Sequence, residues 1–410
     1  MSTTHATTPR PTLFVDGVLD DPYPIYRRFQ SEGRLHELDW GNGQFLWTAF
    51  GYADALSILK DPRLSARRTH AFLLSLPESE RAQFSELVRV MGLWLLFMDP
   101  PEHSRLRKLM NKGFAPAGIE MLRPQVEAIV DRMLEPMRGA SEAELMSEIA
   151  HPLPVRVIAA LLGIPDTLQS QLVAWSNAIA SFLGNPQRTV EQTRAAQNAI
   201  LGLTAYFREM VAQRRLNKSN DLISLLLEIE ADGEVLTEDE LYAQCVMLLF
   251  GGHETTRNLI GNGMHSLLQH RHEIERLKDS PELIRSGVEE LLRFDSPVQS
   301  ISRVVKEDAE ICGKQLHSGD VVVCMAGAAN RDPAQFEDPD SLDLGRSKNA
   351  HVAFGGGLHF CLGNQLARLE GQVAILRMIQ QFPKMRLTSQ APARTANFTF
   401  RGFKSFPVAL

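Results

Sequence analysis

FGGGLHFCLG, residues 354–363, is the stretch of sequence that decides the fold. Its glycines surround a single cysteine, Cys361. Because glycine adds no side-chain packing and loses much backbone entropy on folding, such a run marks a place where the backbone turns sharply or approaches a ligand closely. Apolar residues at helical spacing follow in residues 362–382, which places Cys361 at or just before a helix N-terminus. Unpaired N–H groups and the positive end of the helix dipole favour a thiolate there.

Taken alone, Cys361 has two simpler interpretations, a buried small apolar residue or a catalytic nucleophile. The glycine-rich loop favours a third, because it matches the pattern FGxGxHxCxG at every fixed position: Phe354, Gly355, Gly357, His359, Cys361 and Gly363. This pattern resembles the heme-ligating loop of the cytochrome P-450 superfamily. The resemblance implies heme b, with the Cys361 thiolate as the proximal iron ligand. It also implies that Phe354 shields the sulfur and that His359 reaches a heme propionate.

A long helix is predicted over TEDELYAQCVMLLFGGHETTRNLIGNGMHSLLQ, residues 237–269. Thr237 and Glu240 have the spacing of a capping box, which starts the helix. Two glycines in its middle, Gly251 and Gly252, cost about 1 kcal/mol each relative to alanine. Some local function must therefore require them.

GGHETT, residues 251–256, supplies that function. Gly251 and Thr255 share a helix face, so the Thr255 hydroxyl can bond the carbonyl four residues back, loosen the helix ladder and open a groove for a small ligand. The segment resembles the family's oxygen-binding motif, with Gly251 where alanine is commoner. The resemblance implies that Glu254 and Thr255 are the acid and alcohol that relay protons to O2.

EELLRFDSP, residues 289–297, places Glu290 and Arg293 three apart on a helix, a spacing that supports an ion pair in any protein. In this sequence it resembles the family's ExxR motif, which implies a structural role around the heme loop. The family usually adds an arginine or histidine as a third partner. Ser341 stands at that place, and Arg346 is a candidate substitute.

Three further cations resemble those that hold the heme propionates. His103 and Arg107 are four apart on a predicted helix and resemble the family's HxxxR, and Arg303 resembles a further propionate arginine; their charge suits two carboxylates. The segment HSRLRKLMNK, residues 103–112, contains no Asp or Glu. This favours docking of an acidic ferredoxin, or a flavodoxin, over a merely solvated helix face.

The composition of the 410-residue chain is that of an ordinary globular protein, with 44% hydrophobic and 22% charged residues. Its formal net charge of -6 argues against an indiscriminate nucleic-acid binder. The most apolar windows are too short to cross a bilayer, and residues 1–17 lack a secretory signal pattern, so we expect a cytoplasmic protein without a membrane anchor. Cys245, Cys312 and Cys324 lack paired spacing and are predicted to be structural.

We predict a mainly α-helical protein with a small β region, forming one domain over residues 1–410 with a flexible segment at 1–19. Helical patterns dominate residues 100–290, strands are predicted at 308–313 and 319–326, and Asn42-Gly43 predicts a hairpin turn. The resemblance implies the triangular cytochrome P-450 fold, a monomer, with heme between the long central helix and the helix after Cys361.

The resemblance further implies a monooxygenase that inserts one oxygen atom from O2 into a C–H bond of a medium-sized lipophilic molecule. Electrons would come from NAD(P)H through a reductase and a ferredoxin. The predicted substrate contacts are mostly apolar: Leu93, Met247, Leu248, Val298, Gln299, Ile301 and Thr399. Three alternatives stay open: a heme-thiolate enzyme that catalyses desaturation, oxidative coupling or nitric oxide reduction; a non-enzymatic heme sensor; and a cysteine hydrolase without heme.

Overall fold

The computed structural model describes residues 11–41, 44–185, 187–231 and 236–410, and most of them are helical. The α-helices of the described residues, numbered in chain order, are α1 Tyr23–Glu32, α2 Tyr52–Lys60, α3 Glu78–Arg81, α4 Ser85–Gly92, α5 Glu102–Gly113, α6 Pro116–Glu120, α7 Arg123–Leu134, α8 Pro152–Leu162, α9 Gln169–Gly184, α10 Val190–Leu216, α11 Leu222–Ala231, α12 Glu238–Gln269, α13 Arg271–Asp279, α14 Ile284–Phe294, α15 Ala326–Ala329 and α16 Asn364–Gln381.

The strands are short and gather into small sheets. They are β1 His36–Asp39, β2 Phe45–Ala49, β3 Leu64–Ser65, β4 Glu142–Glu144, β5 Ser300–Val305, β6 Ala309–Ile311, β7 Lys314–Leu316, β8 Val321–Met325, β9 Arg386–Leu387, β10 Ala393–Arg394, β11 Phe403–Ser405 and β12 Pro407–Ala409. The largest sheet has the order β1-β2-β8-β5-β3, and the others are β4-β12-β9, β6-β7 and β10-β11. The predicted mainly helical fold with a small β region is therefore confirmed. The predicted turn at Asn42-Gly43 lies outside the described residues, while β1 and β2 on either side of it pair antiparallel.

The central element is α12, which begins where the sequence predicts. The Thr237 hydroxyl accepts a hydrogen bond from the Glu240 N–H, and the Glu240 carboxylate accepts one from the Thr237 N–H at 2.9 Å, so the capping box is complete. Side chains are buried along most of α12, because α8, α9, α10, α14 and α16 pack around it. It is thus a buried core helix, not a surface one.

The cysteine loop is fixed by the same core. Helix α16, which follows the loop, packs on α12, α14 and α7. A short 3₁₀ turn within the loop, Gly357–His359, packs on α2. Two segments distant in sequence, the loop and the central helix, are thereby held on one framework. No helix in the described part of the chain is both long enough and apolar enough to span a membrane.

Part of the predicted flexible segment 1–19 is packed against the body. Leu13 and Val18 are buried in an apolar cluster with Tyr26 and Phe29. The hydroxyl of Thr12 donates to the carbonyl of residue 39 at 2.9 Å. Residues 11–19 therefore pack through Leu13 and Val18, whereas Val15 and Leu19 are exposed, and residues 1–10 lie outside the described range.

Candidate heme site

The loop that carries Cys361 is closed by its own backbone. The Cys361 N–H donates to the carbonyl of Phe354 at 2.9 Å. Gly355 and Gly357 have φ angles of +72° and +66°, in the left-handed region that penalises a side chain. A Cβ at Gly357 would also come within 2.8 Å of the Leu59 carbonyl oxygen. The glycines are therefore required by the turn and by its close approach to α2.

The sulfur of Cys361 lies just before α16, among opposing influences. Burial raises the pKa of the thiol, while the Gly363 N–H, Arg107 and Arg368 act to lower it. A metal bound by the sulfur would displace the proton, since a thiol coordinates as the thiolate.

The Phe354 side chain packs beside this loop. The guanidinium of Arg368 lies 4.6 Å from the Phe354 ring centroid, and its Nε donates to Glu289 at 2.6 Å. Burial acts to raise the pKa of Glu289, but hydrogen bonds from His351 and Arg368 prevail and lower it to about 2. An ionic network therefore fixes Phe354, which the sequence predicted to shield the sulfur.

Three arginines and two histidines converge next to the loop and form what we call the cation cluster: Arg68, His103, Arg107, Arg303 and His359. Burial and the positive charge of the other four lower the pKa of His359 to about 2. The rings of His103 and His359 lie 4.3 Å apart between centroids. The nearby carboxylate, Asp99, is already engaged by Ser65 Oγ at 2.5 Å and the Ala66 N–H at 2.9 Å.

This cation cluster fits a ligand with several anionic oxygens. Both ring nitrogens of His103 are buried and have no hydrogen-bond partner among the described residues. Arg68, Arg107 and Arg303 carry more positive charge than Asp99 can offset, and an anion that enters the cluster would interact with all three arginines and could bond His103. The two propionates of a heme are such a ligand, and Arg107 acts on both His359 and Cys361, so the propionate and thiolate positions adjoin.

Arg68 is the residue of this cluster that sequence reasoning missed. Burial lowers its pKa to about 9, and Arg303 adds repulsion. The sequence signal was the Arg67-Arg68 pair directly after a short apolar run, but the pair does not show which arginine points inward. In the structure Arg67 is exposed and bonds Glu102 at 3.0 Å, whereas Arg68 stacks 4.7 Å from the Phe97 ring centroid.

The face of α12 that Gly251 and Thr255 share is open at Gly251, and we call this opening the groove of α12. The Thr255 hydroxyl donates to the Gly251 carbonyl at 2.9 Å, as the sequence predicts. The expected loosening of the helix is not found, because α12 is continuous through both residues. Gly251 is exposed on an otherwise buried stretch, and a Cβ placed on it would meet nothing within 4 Å. The missing side chain, not a broken ladder, leaves room for a small ligand.

Glu254 is buried and has its own partners on α12. Its Oε2 accepts from Arg257 Nη1 at 3.0 Å, and its Oε1 accepts from Asn258 Nδ2 at 3.4 Å. Burial raises the pKa of Glu254, while Arg257 and Asn258 oppose the rise. His253 is also buried and lies against Ser176 of α9, with Nδ1 at 2.7 Å from Oγ. The motif did not predict that Arg257 would engage the acid.

The predicted ion pair of Glu290 and Arg293 is present and fully buried, with two hydrogen bonds of 2.8 Å. Arg346 Nε lies 3.2 and 3.1 Å from the two oxygens of Glu290, so Arg346 is the third partner. Ser341 takes part through its carbonyl, which accepts from Arg293 at 3.1 Å. Asn349 and the Asp343 N–H are two further donors to Glu290.

The predicted apolar substrate contacts lie in or against the two main apolar clusters. Ile301 packs with the five-stranded sheet and approaches the Cβ position of Gly355 to 3.7 Å. The others belong to or border the large helical cluster: Leu93, Met247, Leu248 and Val298.

The side-chain amide of Gln299 is hydrogen-bonded within the protein and does not present a polar group to a substrate. Its Oε1 accepts from the Tyr26 hydroxyl at 3.1 Å and its Nε2 donates to the Ser296 carbonyl at 2.7 Å, so both ends of the amide are used inside the protein. The strand places this side chain toward the N-terminal helix. Thr399 remains on the opposite segment, where its hydroxyl accepts from Ser300 at 3.4 Å.

The other cysteines are free thiols, and burial raises the pKa of each to about 12: Cys245, Cys312 and Cys324. Thiols held in the neutral form are poor nucleophiles. This agrees with the structural role predicted for them.

Comparison with known proteins gives the family. Residues 77–280 and 279–397 match the model of the family Cytochrome P450. The biotin biosynthesis cytochrome P450 of Bacillus subtilis (strain 168) is 36% identical over 394 residues, which cover 95% of this chain and 96% of that protein. The vitamin D(3) 25-hydroxylase of Pseudonocardia autotrophica is 37% identical over 390 residues, which cover 94% of this chain and 93% of that protein.

Solved structures agree with the sequence matches. P450BioI in complex with an acyl carrier protein ligated to hexadec-9Z-enoic acid is similar with a TM-score of 0.90, 35% identity, and coverage of 96% of this chain and 100% of that one. A myxobacterial cytochrome P450 in complex with myristic acid is similar with a TM-score of 0.87 and 36% identity. The match covers 97% of this chain and 98% of that one. The chain therefore belongs to the cytochrome P450 family and has its fold. It is an oxygenase, and membership of the family implies a heme-thiolate cofactor.

Proposed function

We propose that this protein is a heme b monooxygenase that inserts one oxygen atom from O2 into a C–H bond of a medium-sized lipophilic molecule. The observation that carries the proposal is the cation cluster beside Cys361, whose three arginines outnumber the nearby carboxylate of Asp99 and whose His103 has both ring nitrogens unpaired among the described residues. Cys361 Sγ would bind the iron, and the arginines and histidines of the cluster would hold the propionates. The bound heme would supply the iron at which O2 is reduced.

Proton supply falls to α12. The Thr255 hydroxyl, which donates to the Gly251 carbonyl, borders the open groove and can turn to donate to O2 there. Burial raises the pKa of Glu254, which suits a group that must take up and release a proton near neutral pH. To act in this way, Glu254 must leave Arg257, so the ion pair between them controls when the acid is free.

An electron donor would dock on the face that carries α5 and the cysteine loop. Lys108 and Lys112 are exposed there, and Leu358 and Phe360 of the loop are exposed apolar side chains, Leu358 by 59%. An apolar spot with neighbouring positive charge suits an acidic ferredoxin or flavodoxin. Arg105, from the same basic segment, pairs with Glu240 and contributes less to this surface.

The substrate region favours an extended apolar molecule. Apolar side chains border the groove, and the one buried amide predicted to contact substrate is turned away. Two structurally similar cytochromes P450 were solved with acyl ligands, one of them on a carrier protein. These ligands support a lipophilic substrate, free or carrier-bound. The support for the substrate class comes from similar proteins, whereas the support for the cofactor comes from the cation cluster of this protein.

The deciding experiment is spectroscopic. The purified protein should show a low-spin ferric heme spectrum, a carbon monoxide complex of heme-thiolate type after reduction, and a shift to high spin with lipophilic ligands. Cys361→Ala should abolish the thiolate signature. A normal heme-thiolate carbon monoxide complex in that variant, or a wild-type protein that binds no heme, would overturn the proposal.

A further inference from the structure

Arg188, in the connection between α9 and α10, is held between two aromatic rings. Its guanidinium carbon lies 4.9 Å from the ring centroid of Phe72 and 5.3 Å from that of Phe182. Its Nε donates to the Phe182 carbonyl at 2.6 Å and its Nη2 to the Leu183 carbonyl at 3.4 Å, in the last turn of α9. The side chain is therefore fixed in one orientation, and its Nη1 is not used in these bonds.

The charge of Arg188 has no counter-ion. Within the described part of the chain no carboxylate pairs with it, and burial alone lowers its pKa to about 10. Two arginines of α10 differ: Arg214 pairs with Asp221 at 2.5 Å, and Arg194 is an exposed residue that bonds a glutamine. Arg188 is a half-buried cation without a carboxylate partner in the described part of the chain, so an anion placed against it gains a strong interaction.

On one side Arg188 adjoins the turn that carries Thr399. The last residue of α9, Gly184, accepts at its carbonyl a hydrogen bond from the Thr399 N–H at 3.4 Å. The side chain of Asn397 lies so close to Gly184 that a Cβ there would meet it at 2.1 Å. The last turn of α9, whose carbonyls fix Arg188, therefore packs through Gly184 against a predicted substrate segment.

On the other side a row of aromatic rings leads from Arg188 to the groove of α12. Phe72 meets Phe97 with 5.4 Å between ring centroids, Phe97 stacks on Trp94 at 5.9 Å, and Trp94 stacks on Phe250 at 6.1 Å. Phe250 directly precedes Gly251. An unpaired cation thus stands at one end of an apolar row whose other end is the place of oxygen chemistry.

We propose that Arg188 binds the carboxylate of a lipophilic acid whose apolar body extends along this aromatic row toward Gly251. The inference rests on the proposed monooxygenase function and narrows its substrate class to carboxylic acids with a long apolar part. The guanidinium can use Nη1 and Nη2 together on a carboxylate, which a lysine cannot do. Oxidation would then fall far from the carboxylate, because the charged end is held away from the groove.

The test compares an acid with its neutral analogues on the heme-loaded full chain. Myristic acid, its methyl ester and 1-tetradecanol are titrated at pH 8 by absorption and by calorimetry. Wild-type protein should bind the acid about tenfold or more tightly than the ester. Arg188→Gln should remove this preference by weakening the acid alone, and Arg188→Lys should restore part of it. Arg194→Gln, an exposed arginine of the next helix, is the matched control and should change nothing.

Two results would overturn the inference. The first is equal affinity of the wild type for the acid and the ester. The second is an equal loss of affinity for all three ligands in Arg188→Gln together with a lower melting temperature, which would mean that Arg188 only stabilises the packing of α9 on Phe72. In both cases neutral ligands still bind the wild type, so the monooxygenase proposal survives. A protein that binds no heme would refute that proposal as well.

Discussion

Glu254 and Arg257 form a buried ion pair within one helix, with Oε2 and Nη1 3.0 Å apart. The arginine also donates to the carbonyl of Phe403 at 2.8 Å and so ties α12 to β11. Arg257→Met leaves a buried carboxylate without its cation, which costs about 3 to 5 kcal/mol in the free energy of unfolding. The pKa of Glu254, already raised by burial, should rise further, so that the acid is protonated at neutral pH.

Infrared difference spectra measure this change directly. A carboxylic acid band should appear in Arg257→Met and vanish when Glu254→Gln is added. Arg257→Lys, which keeps a cation, should retain the ionised carboxylate. Turnover should change as well. In Arg257→Met, Glu254 is protonated and has no ion pair to break before it transfers a proton, so the solvent isotope effect on product formation should be smaller than in the wild type. An unchanged infrared spectrum and isotope effect would contradict the control that we assign to this pair.

The adjacent arginines Arg67 and Arg68 provide a matched pair for the cation cluster. Arg68→Gln removes one repelling charge, so the heme-free protein should be no less stable than the wild type. From the heme-loaded variant, heme should transfer to apomyoglobin about tenfold faster, because a charged hydrogen bond to a propionate is lost. Arg67→Gln breaks an exposed pair with Glu102 and a long contact of 4.0 Å with Asp99, and it should change the transfer rate much less than Arg68→Gln does. Equal rates in the two variants would remove Arg68 from the propionate site.

Arg346 should matter for stability because its partner, Glu290, is fully buried. Arg346→Gln removes a charge-assisted bond and should lower the free energy of unfolding by about 2 kcal/mol. Arg293→Gln should cost more, about 3 to 5 kcal/mol, because it breaks the fully buried pair itself. Arg27→Gln, from an exposed pair, is the control and should cost less than about 1 kcal/mol. Urea denaturation measures all three, and an Arg346 variant as stable as the control would contradict the third-partner role.

Local spacing explains what the sequence could predict. The capping box of Thr237 and Glu240, the hydroxyl bond from Thr255 and the pair of Glu290 and Arg293 all join residues within one helical turn. Their geometry follows from the 3.6-residue repeat wherever the helix lies in the molecule. The cysteine loop was predictable for a related reason, because its glycines report backbone angles that other residues avoid.

Packing between distant segments explains what the sequence could not predict. Arg67 and Arg68 follow the short strand β3, and only the folded chain shows that Arg68 faces the cluster while Arg67 is exposed. Gln299 was expected in the substrate region, but its amide faces Tyr26 of the first helix, 273 residues away in sequence. Each outcome depends on contacts that form only when the chain has folded.

Gly251 offers a test of the open groove. Its Cβ position is empty to 4 Å, so Gly251→Ala should raise the free energy of unfolding by about 1 kcal/mol through helix propensity alone. Gly263→Ala on the same helix is the control: its Cβ would lie 3.1 Å from Ile375 and 3.2 Å from Leu291, and crowding should cancel the gain. The same methyl group at Gly251 should weaken the spin shift caused by bulky ligands. A loss of stability in Gly251→Ala would show that the space is filled.

Glu370 should make stability depend on pH in the direction opposite to that of an acid paired with cations, such as Glu289. It is buried in α16, its Oε2 has no hydrogen-bond partner among the described residues, and burial raises its pKa well above the usual value. The folded state therefore keeps a proton that the unfolded state releases above pH 4.5, so this residue lowers stability as pH rises from there, by up to about 1.4 kcal/mol per pH unit. Glu370→Gln should be more stable than wild type at pH 8, with the gap closing toward pH 4.5 in denaturation curves. The control Glu282→Gln, at an exposed site, should differ from the wild type in stability by the same amount at each pH. A stability difference for Glu370→Gln that does not change with pH would mean that the carboxylate is ionised and paired in the folded protein.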